Sequence, residues 1–157
     1  YRDGVSLRTC RHTRPQPGVK KWDGDFRTRV NTFIDTQRIY EALLLNEKDE
    51  ITEGSRSNIF FIDRSGCILT PPTPSVLPGI TRKYVIDIIQ SGSIAFRESH
   101  VHAEALDTLA ACFLTGTSPM VLPVKGIDHK SYPPDHPILL NIMESFRRIA
   151  DDHMEEL

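Results

Sequence analysis

The sequence has few cysteines, no long apolar run and no excess of charge of one sign, and each absence narrows the function. Its 157 residues include three cysteines, Cys10, Cys67 and Cys112, which are odd in number and far apart. Such spacing is atypical of a disulfide framework or a CxxC metal site, and it favours reduced thiols and a cytoplasmic protein. No segment approaches the roughly 18 consecutive apolar residues of a membrane span, so we expect no membrane partner.

The charge balance argues against a nucleic-acid partner. Lys and Arg number 19 and Asp and Glu number 21, so the net charge is −2, whereas a nucleic-acid-binding domain usually carries a basic stripe. The motifs GxxxxGK[ST], GxGxxG, HExxH and GxSxG are missing, which disfavours phosphate-loop, dinucleotide, zinc-protease and serine-hydrolase functions. His100 and His102 could share one face of a strand, but no third ligand is close in sequence, so we predict no metal site.

What is present is an ordinary globular composition, with 39% hydrophobic and 25% charged residues, which fits one domain over residues 1–157. The spacing of apolar residues predicts helices at 25–39, 81–90 and 138–154, with a short helical stretch at 104–109. Strands are predicted at 5–10, 42–45, 59–62, 67–70, 94–98, 110–114 and 120–124. The runs at 42–45 and 59–62 are apolar throughout, so we expect them to be buried on both faces. The predicted fold class is α+β.

Three short segments combine residues suited to binding an anion or a cofactor. Residues 52–58 read TEGSRSN and hold Glu53 among small, turn-forming residues between apolar strands. Residues 77–82 read LPGITR, so a glycine turn opens a helix whose free N–H groups suit a phosphate. Residues 115–118 read TGTS and offer further N–H and O–H donors. The alternative for the first segment is a tight connection between two strands with Glu53 solvated. The alternative for the second is an ordinary capped helix start, which the second segment taken alone would favour. None of the three segments is strong evidence by itself.

Together these segments are distinctive. The ordered set EALLLN, EGSRSN, LPGITR and TGTSPMVLPV resembles the class IV (fold type IV) pyridoxal-phosphate enzymes, which include branched-chain and D-amino-acid aminotransferases and aminodeoxychorismate lyase. The resemblance covers nearly the whole chain and corresponds to the larger, C-terminal domain of that family, a mixed sheet or pseudo-barrel with surrounding helices. The chain begins at Tyr1, without Met, and we expect the family's N-terminal domain to be missing.

The resemblance also implies the cofactor and its attachment. It implies pyridoxal 5′-phosphate as cofactor, an amino acid and a 2-oxo acid as substrates, and a homodimer. The family's lysine that bonds covalently to the cofactor precedes the acid that opens the EALLL strand, here Glu41, at a spacing that gives Lys20. Lys21 is the alternative, because Asp23 stands where the family often has an asparagine.

Further roles follow residue by residue from the resemblance. Glu53 matches the glutamate that faces the cofactor's ring nitrogen, where a carboxylate keeps that nitrogen protonated. The backbone N–H of Ile80 and the hydroxyl of Thr81 match one half of the phosphate site, and Gly116 with Thr117 matches the other half. Asn58, which closes the first motif, is expected to be a structural hydrogen bonder. Arg14 could approach the cofactor's phenolic oxygen, whereas the phosphate arginine that family members bring from the N-terminal domain has no counterpart.

Three functions remain open at this point. The leading one is an aminotransferase of the branched-chain or D-amino-acid type. The second is an aminodeoxychorismate lyase, which Met120 favours slightly because aminotransferases of the family more often have a glutamate at that position. The third is a fragment that folds but turns nothing over, since half of the pocket would be absent.

Overall fold

A ten-stranded mixed sheet organises the chain. The structure is a computed structural model that describes residues 2–21 and 23–155. Its strands, in chain order, are β1 (Val5–Arg11), β2 (Glu41–Leu45), β3 (Glu50–Gly54), β4 (Asn58–Asp63), β5 (Ile68–Thr70), β6 (Phe96–Glu98), β7 (Val101–His102), β8 (Leu109–Gly116), β9 (Met120–Ile127) and β10 (Lys130–Ser131). The helices are α1 (Gly24–Gln37), α2 (Ile80–Ser91) and α3 (Pro137–Glu155), with 3-10 turns at Thr73–Ser75 and Ala103–Thr108.

The strand order runs β6-β5-β4-β8-β9-β1-β2-β3-β7, with β10 paired to β9. The pairs β1–β2, β1–β9 and β5–β6 are parallel, and the other pairs are antiparallel. Register shifts interrupt the pairing of β1 with β9 and of β2 with β3, and such irregularities increase local twist and allow a sheet to curl. The α+β prediction is therefore confirmed, with a curled half-barrel of strands flanked by helices.

Two apolar clusters lie on opposite faces of the sheet, and strand β4 contributes to both. Ile59 and Phe61 belong to the cluster enclosed by the strands. Phe60 and Ile62 belong to the cluster that packs under α2 and α3. Successive side chains of a strand point to opposite faces, so an unbroken apolar run is what burial on both faces requires. The prediction for residues 59–62 is confirmed.

Helix α1 differs from its predicted packing. Asp23 is its N-cap, and its side chain accepts a hydrogen bond from the Phe26 N–H at 2.9 Å, as a short acidic side chain at that position does. The apolar spacing that predicts this helix comes from Phe26, Val30, Phe33 and Ile34, which would form one apolar face toward the core. Only Val30 is buried, and the other three are half-buried. Helix α1 is therefore attached to the sheet by a narrow contact.

Candidate active site

Glu53 lies near the end of strand β3 and is buried, with 3% of its surface exposed. Its Oε1 lies 2.7 Å from Nε of Arg14, and its Oε2 accepts a hydrogen bond from the Leu77 N–H at 3.2 Å. The Arg14 contact is an ion pair without the alignment of a directed hydrogen bond. This burial excludes the alternative in which Glu53 is solvated. It also corrects the turn assignment, since residues 52–54 belong to a strand and the turn itself spans 55–57.

The first two motifs are joined through the backbone of Leu77. Asn58 donates from Nδ2 to the Leu77 carbonyl at 2.9 Å, while Glu53 accepts from the Leu77 N–H. Both polar groups of this residue's backbone are therefore fixed by predicted site residues. Asn58 also packs so closely on Gly79 that a Cβ there would collide with its Oδ1. Asn58 thus holds the entrance to α2 through this hydrogen bond, and its place in the cofactor site stays a prediction.

The third motif meets the first across the pairing of β4 with β8. Thr115 is the register partner of Asn58, and a Cβ on Gly116 would come within 3.7 Å of the Arg56 carbonyl oxygen. Thr115 is buried, and its hydroxyl has no hydrogen-bond partner among the described residues. Thr117, which we predicted to bind phosphate, is exposed at the turn. The three motifs thus converge on one region.

The start of helix α2 provides donors that no side chain caps. Gly79 is the N-cap and makes no side-chain cap hydrogen bond. Thr81 is buried, whereas the Ile80 side chain is 74% exposed, so Ile80 can contribute only its backbone. The first N–H groups of a helix lack intrahelical partners and carry the positive end of its dipole. This helix start can therefore bind an anion.

The two candidate lysines lie in the segment that precedes α1, and both are exposed. A small cleft of about 30 Å³ is lined by Lys21, Arg14 and Ser55, among others, and Lys20 is not one of its lining residues. The choice between Lys20 and Lys21 stays a prediction. Arg14, which comes from the same segment, lines this cleft and a larger one of about 140 Å³ that also includes Glu53.

Two buried carboxyls have raised pKa values. Burial raises the pKa of Glu53, the nearby charge of Glu41 raises it further, and Arg14 and the Leu77 N–H partly oppose these effects. Burial also raises the pKa of Glu41, which accepts hydrogen bonds from the Arg56 N–H and from the Ser57 hydroxyl at 3.0 Å. Glu41 therefore holds the turn at 55–57. In the sequence, Glu41 served only as a marker of spacing, although an acid that opens an otherwise apolar strand is a usable sign of a buried polar role.

The histidine pair for which we predict no metal lies beside Glu50, at the start of β3 and next to β7. His100 Nδ1 is 3.4 Å and His102 Nε2 is 3.9 Å from the carboxylate of Glu50, and both imidazoles are about half exposed. Within the described ranges, no three His, Cys, Asp or Glu side chains are grouped so as to hold a metal ion. Among the same residues, no helix is both long and apolar enough to cross a membrane.

The arrangement fits a phosphorylated heteroaromatic cofactor. Such a group needs a buried acceptor for a ring N–H and several donors for a phosphate. Glu53 meets the first need, and the uncapped start of α2 meets the second. Unpartnered buried hydroxyls of Ser55 and Thr115 flank the same region, and buried polar groups without partners are rare unless a ligand or water completes them.

Comparison with known proteins agrees with this geometry. The chain shares its fold with solved aminotransferases. A branched-chain amino acid aminotransferase from Escherichia coli superposes with a TM-score of 0.79 at 25% identity, over 92% of this chain and 51% of that one. Another branched-chain amino acid aminotransferase, solved with pyridoxamine 5′-phosphate and from the organism abbreviated T.th., superposes with a TM-score of 0.82 at 29% identity, over the same shares of the two chains. A 4-amino-4-deoxychorismate lyase, described as putative, from Legionella pneumophila superposes with a TM-score of 0.85 at 22% identity, over 92% and 56% of the two chains.

The family follows from sequence. Residues 3–127 match the family described as amino-transferase class IV, and the chain belongs to that family. A probable branched-chain-amino-acid aminotransferase of Rickettsia conorii is 27% identical over 159 aligned positions, which span 96% of this chain and 54% of that protein. The chain therefore spans about half the length of the relatives that it matches.

Proposed function

We propose that this chain is the cofactor-binding part of a pyridoxal-phosphate-dependent aminotransferase. The observation that carries the proposal is the buried carboxylate of Glu53, anchored by Leu77 and Arg14 at the point where three motifs meet. Membership of the amino-transferase class IV family supports it. The similar aminotransferase solved with pyridoxamine 5′-phosphate supports the choice of cofactor.

Each residue has a defined task in this proposal. Pyridoxal phosphate, when bound, supplies an electron-accepting ring that stabilises negative charge at the substrate's Cα. Glu53 holds a proton at the ring nitrogen, and burial makes that interaction strong because water does not compete for the carboxylate. The N–H groups at the start of α2, with Gly116 and Thr117, bind the phosphate. Lys20, or Lys21, carries the cofactor covalently and moves a proton to and from the substrate's Cα.

The substrates that we propose are an amino acid of the branched-chain or D-amino-acid type and a 2-oxo acid. The names of the relatives favour the branched-chain type. We further propose that the full protein is a cytoplasmic homodimer, as the resemblance implies. The relatives are about twice as long as this chain, so turnover by these residues alone is expected to be weak.

Aminodeoxychorismate lyase activity is the second candidate. Met120, 43% exposed at the start of β9, stands where aminotransferases of the family more often have a glutamate. Amino transfer to 2-oxoglutarate and pyruvate release from aminodeoxychorismate are the assays that separate the two. Neither activity, in a chain extended upstream of Tyr1, would favour the third possibility, a protein that binds cofactor without turnover.

The phosphate site gives the proposal a test that needs no turnover. The chain should bind pyridoxal phosphate roughly ten- to a hundredfold more tightly than pyridoxal, because charge-assisted hydrogen bonds contribute about 1.5–3 kcal/mol. Thr81→Val should reduce this preference, while Thr32→Val, on exposed α1, should leave it unchanged. Equal affinity for the two compounds, measured by absorbance titration, would refute the phosphate site.

A further inference from the structure

Glu41 is a buried carboxyl to which the proposed function gives no task. It opens strand β2, and only 1% of its surface is exposed. Burial raises its pKa, because a charged carboxylate is unfavourable away from water. A polar group in such a place is normally paired with other polar atoms of the fold. The partners of Glu41 therefore indicate its role.

The hydrogen-bond partners of Glu41 among the described residues lie in the turn at 55–57, between β3 and β4. Its carboxylate accepts from the Arg56 N–H. It also accepts from the Ser57 hydroxyl, whose Oγ is 3.0 Å from both Oε1 and Oε2. Gly54 allows this close approach, since a Cβ there would collide with Oε1 of Glu41 and with Oγ of Ser57. The turn is therefore built around the carboxylate.

The turn has little else to fix its shape. Among the described residues, no backbone hydrogen bond joins the residues of the turn to one another. The start of β2 holds the turn instead, since the Ser55 N–H donates to the Ala42 carbonyl at 2.9 Å and Arg56 Nη2 donates to the Tyr40 carbonyl at 2.9 Å. Removing the carboxylate of Glu41 would leave the second half of the turn without its backbone anchor.

The same turn lies against the second phosphate motif. Asn58 follows the turn and pairs with Thr115, so the antiparallel ladder directs the turn towards the residues after Thr115. The Arg56 carbonyl oxygen would lie 3.7 Å from a Cβ on Gly116, which is an ordinary van der Waals separation. Closely packed groups transmit displacements to their neighbours. A shift of Arg56 would therefore reach Gly116.

We propose that Glu41 is a positioning residue of the cofactor site, which fixes the phosphate turn at Gly116 and Thr117 through the turn at 55–57. Its action is indirect, because the hydrogen bonds of Glu41 are made to the turn at 55–57. This role rests on the proposed function, since it assumes that Gly116 and Thr117 bind the phosphate. The contact between the two turns does not depend on that assumption.

The preference for pyridoxal phosphate over pyridoxal measures the phosphate site without turnover. A variant that only reduces the folded fraction weakens the binding of both compounds by the same factor, so the ratio of the two dissociation constants does not respond to stability. Glu41→Leu removes the acceptor and should lower the preference about two- to tenfold, because one hydrogen bond to the phosphate is misplaced. Glu41→Gln keeps an acceptor oxygen and should retain most of the preference.

Two further variants control for a loss of folding. Ser57→Ala removes one donor to Glu41 and should lower the preference less than Glu41→Leu does. Tyr132→Phe removes a buried hydrogen bond to the Leu106 carbonyl, away from the motifs, and should leave the preference unchanged. An unchanged preference in Glu41→Leu, or in Ser57→Ala where Glu41→Leu does not fold, would overturn the proposal. An equal loss in Tyr132→Phe would also overturn it.

The charge of Glu41 offers an alternative cause that the same titrations separate. A carboxylate near a phosphate repels it, so a purely electrostatic action would raise the preference in both Glu41→Gln and Glu41→Leu. That result would overturn the positioning role. A loss in Glu41→Leu that Glu41→Gln restores is the result that the positioning role predicts.

NMR of the cofactor-free chain keeps the two proposals distinct. We expect Glu41→Leu, and not Tyr132→Phe, to shift the backbone amide resonances of Gly116 and Thr117. These shifts, in a chain whose wild type binds pyridoxal as tightly as pyridoxal phosphate, would refute the proposed function and leave the link between the turns in place. Shifts confined to residues 55–57, in a chain that prefers pyridoxal phosphate, would refute the role of Glu41 alone.

Discussion

Replacing Glu53 by Gln separates the contribution of this carboxylate to stability from its contribution to function. The variant keeps the size of the side chain and an oxygen that can accept the Leu77 N–H. It removes the negative charge that faces Arg14. In the cofactor-free chain, the variant loses the attraction between Glu53 and Arg14 but no longer pays the cost of burying the Glu53 charge. The sign of the stability change depends on which of these two effects is larger.

The magnitudes indicate a small effect. Removing one partner of a fully buried ion pair costs about 3–5 kcal/mol, whereas an exposed pair is worth about 0–1 kcal/mol. The Arg14 side chain is 21% exposed, so it can regain water and the loss lies near the lower figure. Burial raises the pKa of Glu53 despite Arg14, so burial disfavours the charged carboxyl by more than Arg14 stabilises it. We expect Glu53→Gln to change the unfolding free energy by between zero and about 1 kcal/mol, in the stabilising direction.

The dependence on pH gives the sharper measurement. Because the pKa of folded Glu53 lies above its ordinary value of 4.5, its contribution to stability is complete below that pH and is lost as pH rises through the raised pKa. The unfolding free energy of Glu53→Gln, relative to that of the wild type, should therefore increase with rising pH. Glu50, on the same strand, is a control of opposite sign. Its pKa is lowered chiefly by the hydrogen bond from Asn46, so Glu50→Gln should lose stability at neutral pH and approach wild type in acid.

Urea unfolding at about pH 3 and about pH 7.5 provides these values. With cofactor bound, the wild type should become more stable than Glu53→Gln, because a ligand at a hundred times its Kd adds about 2.7 kcal/mol to the unfolding free energy. Glu53→Gln should bind the cofactor more weakly and gain less. The phosphate contacts should still preserve some binding in this variant. Turnover in the chain extended upstream should be lost because the ring nitrogen loses its charged partner. A loss of about 3 kcal/mol or more in the cofactor-free variant, or wild-type turnover, would refute this reasoning.

The other predictions concern packing around the site and the thiols. Gly79→Ala should lower the unfolding free energy by about 1–3 kcal/mol, because the added Cβ collides with Asn58. Gly18→Ala is the control, because a Cβ there has nothing within 4 Å and should leave the unfolding free energy unchanged. Equal melting temperatures of the two variants would contradict the close packing at Gly79. Asn58→Ala should cost about 1–3 kcal/mol in urea unfolding by leaving the Leu77 carbonyl unpaired, and an unchanged midpoint would show that this hydrogen bond is dispensable. Cys112 is buried and its pKa is raised by burial, so a thiol reagent should label it only on unfolding; rapid labelling of the native chain would contradict that burial.

The long, strongly patterned elements could be predicted from the sequence, and the short polar strands could not. Strand β4 and helix α2 lie within two residues of their predicted bounds because their apolar patterns have only one way to be buried. Strand β3 was missed, since Glu50, Thr52 and Glu53 interrupt its apolar pattern. It forms because β2 and β7 supply hydrogen-bond partners on both sides, and such pairing is invisible in a local window of sequence.

The same distinction applies to the site. The motifs predicted which residues carry the chemistry, and the structure shows that Glu53, Asn58 and the start of α2 meet at Leu77. Local sequence could not predict the ion pair between Glu53 and Arg14, because it joins positions brought together only by the parallel pairing of β1 with β2. Sequence spacing also cannot decide between Lys20 and Lys21, because a difference of one residue in the length of the loop before α1 changes which lysine matches.

Borohydride reduction of the chain mixed with pyridoxal phosphate, followed by peptide mapping, tests the central claim most directly. Reduction fixes the cofactor to the lysine that carries it. We expect one dominant pyridoxyl label on Lys20, suppressed when pyridoxal replaces pyridoxal phosphate; a label on Lys21 would move the assignment by one residue. A label spread over lysines outside the 20–21 segment, or none at all, would contradict the claim that this region binds the cofactor.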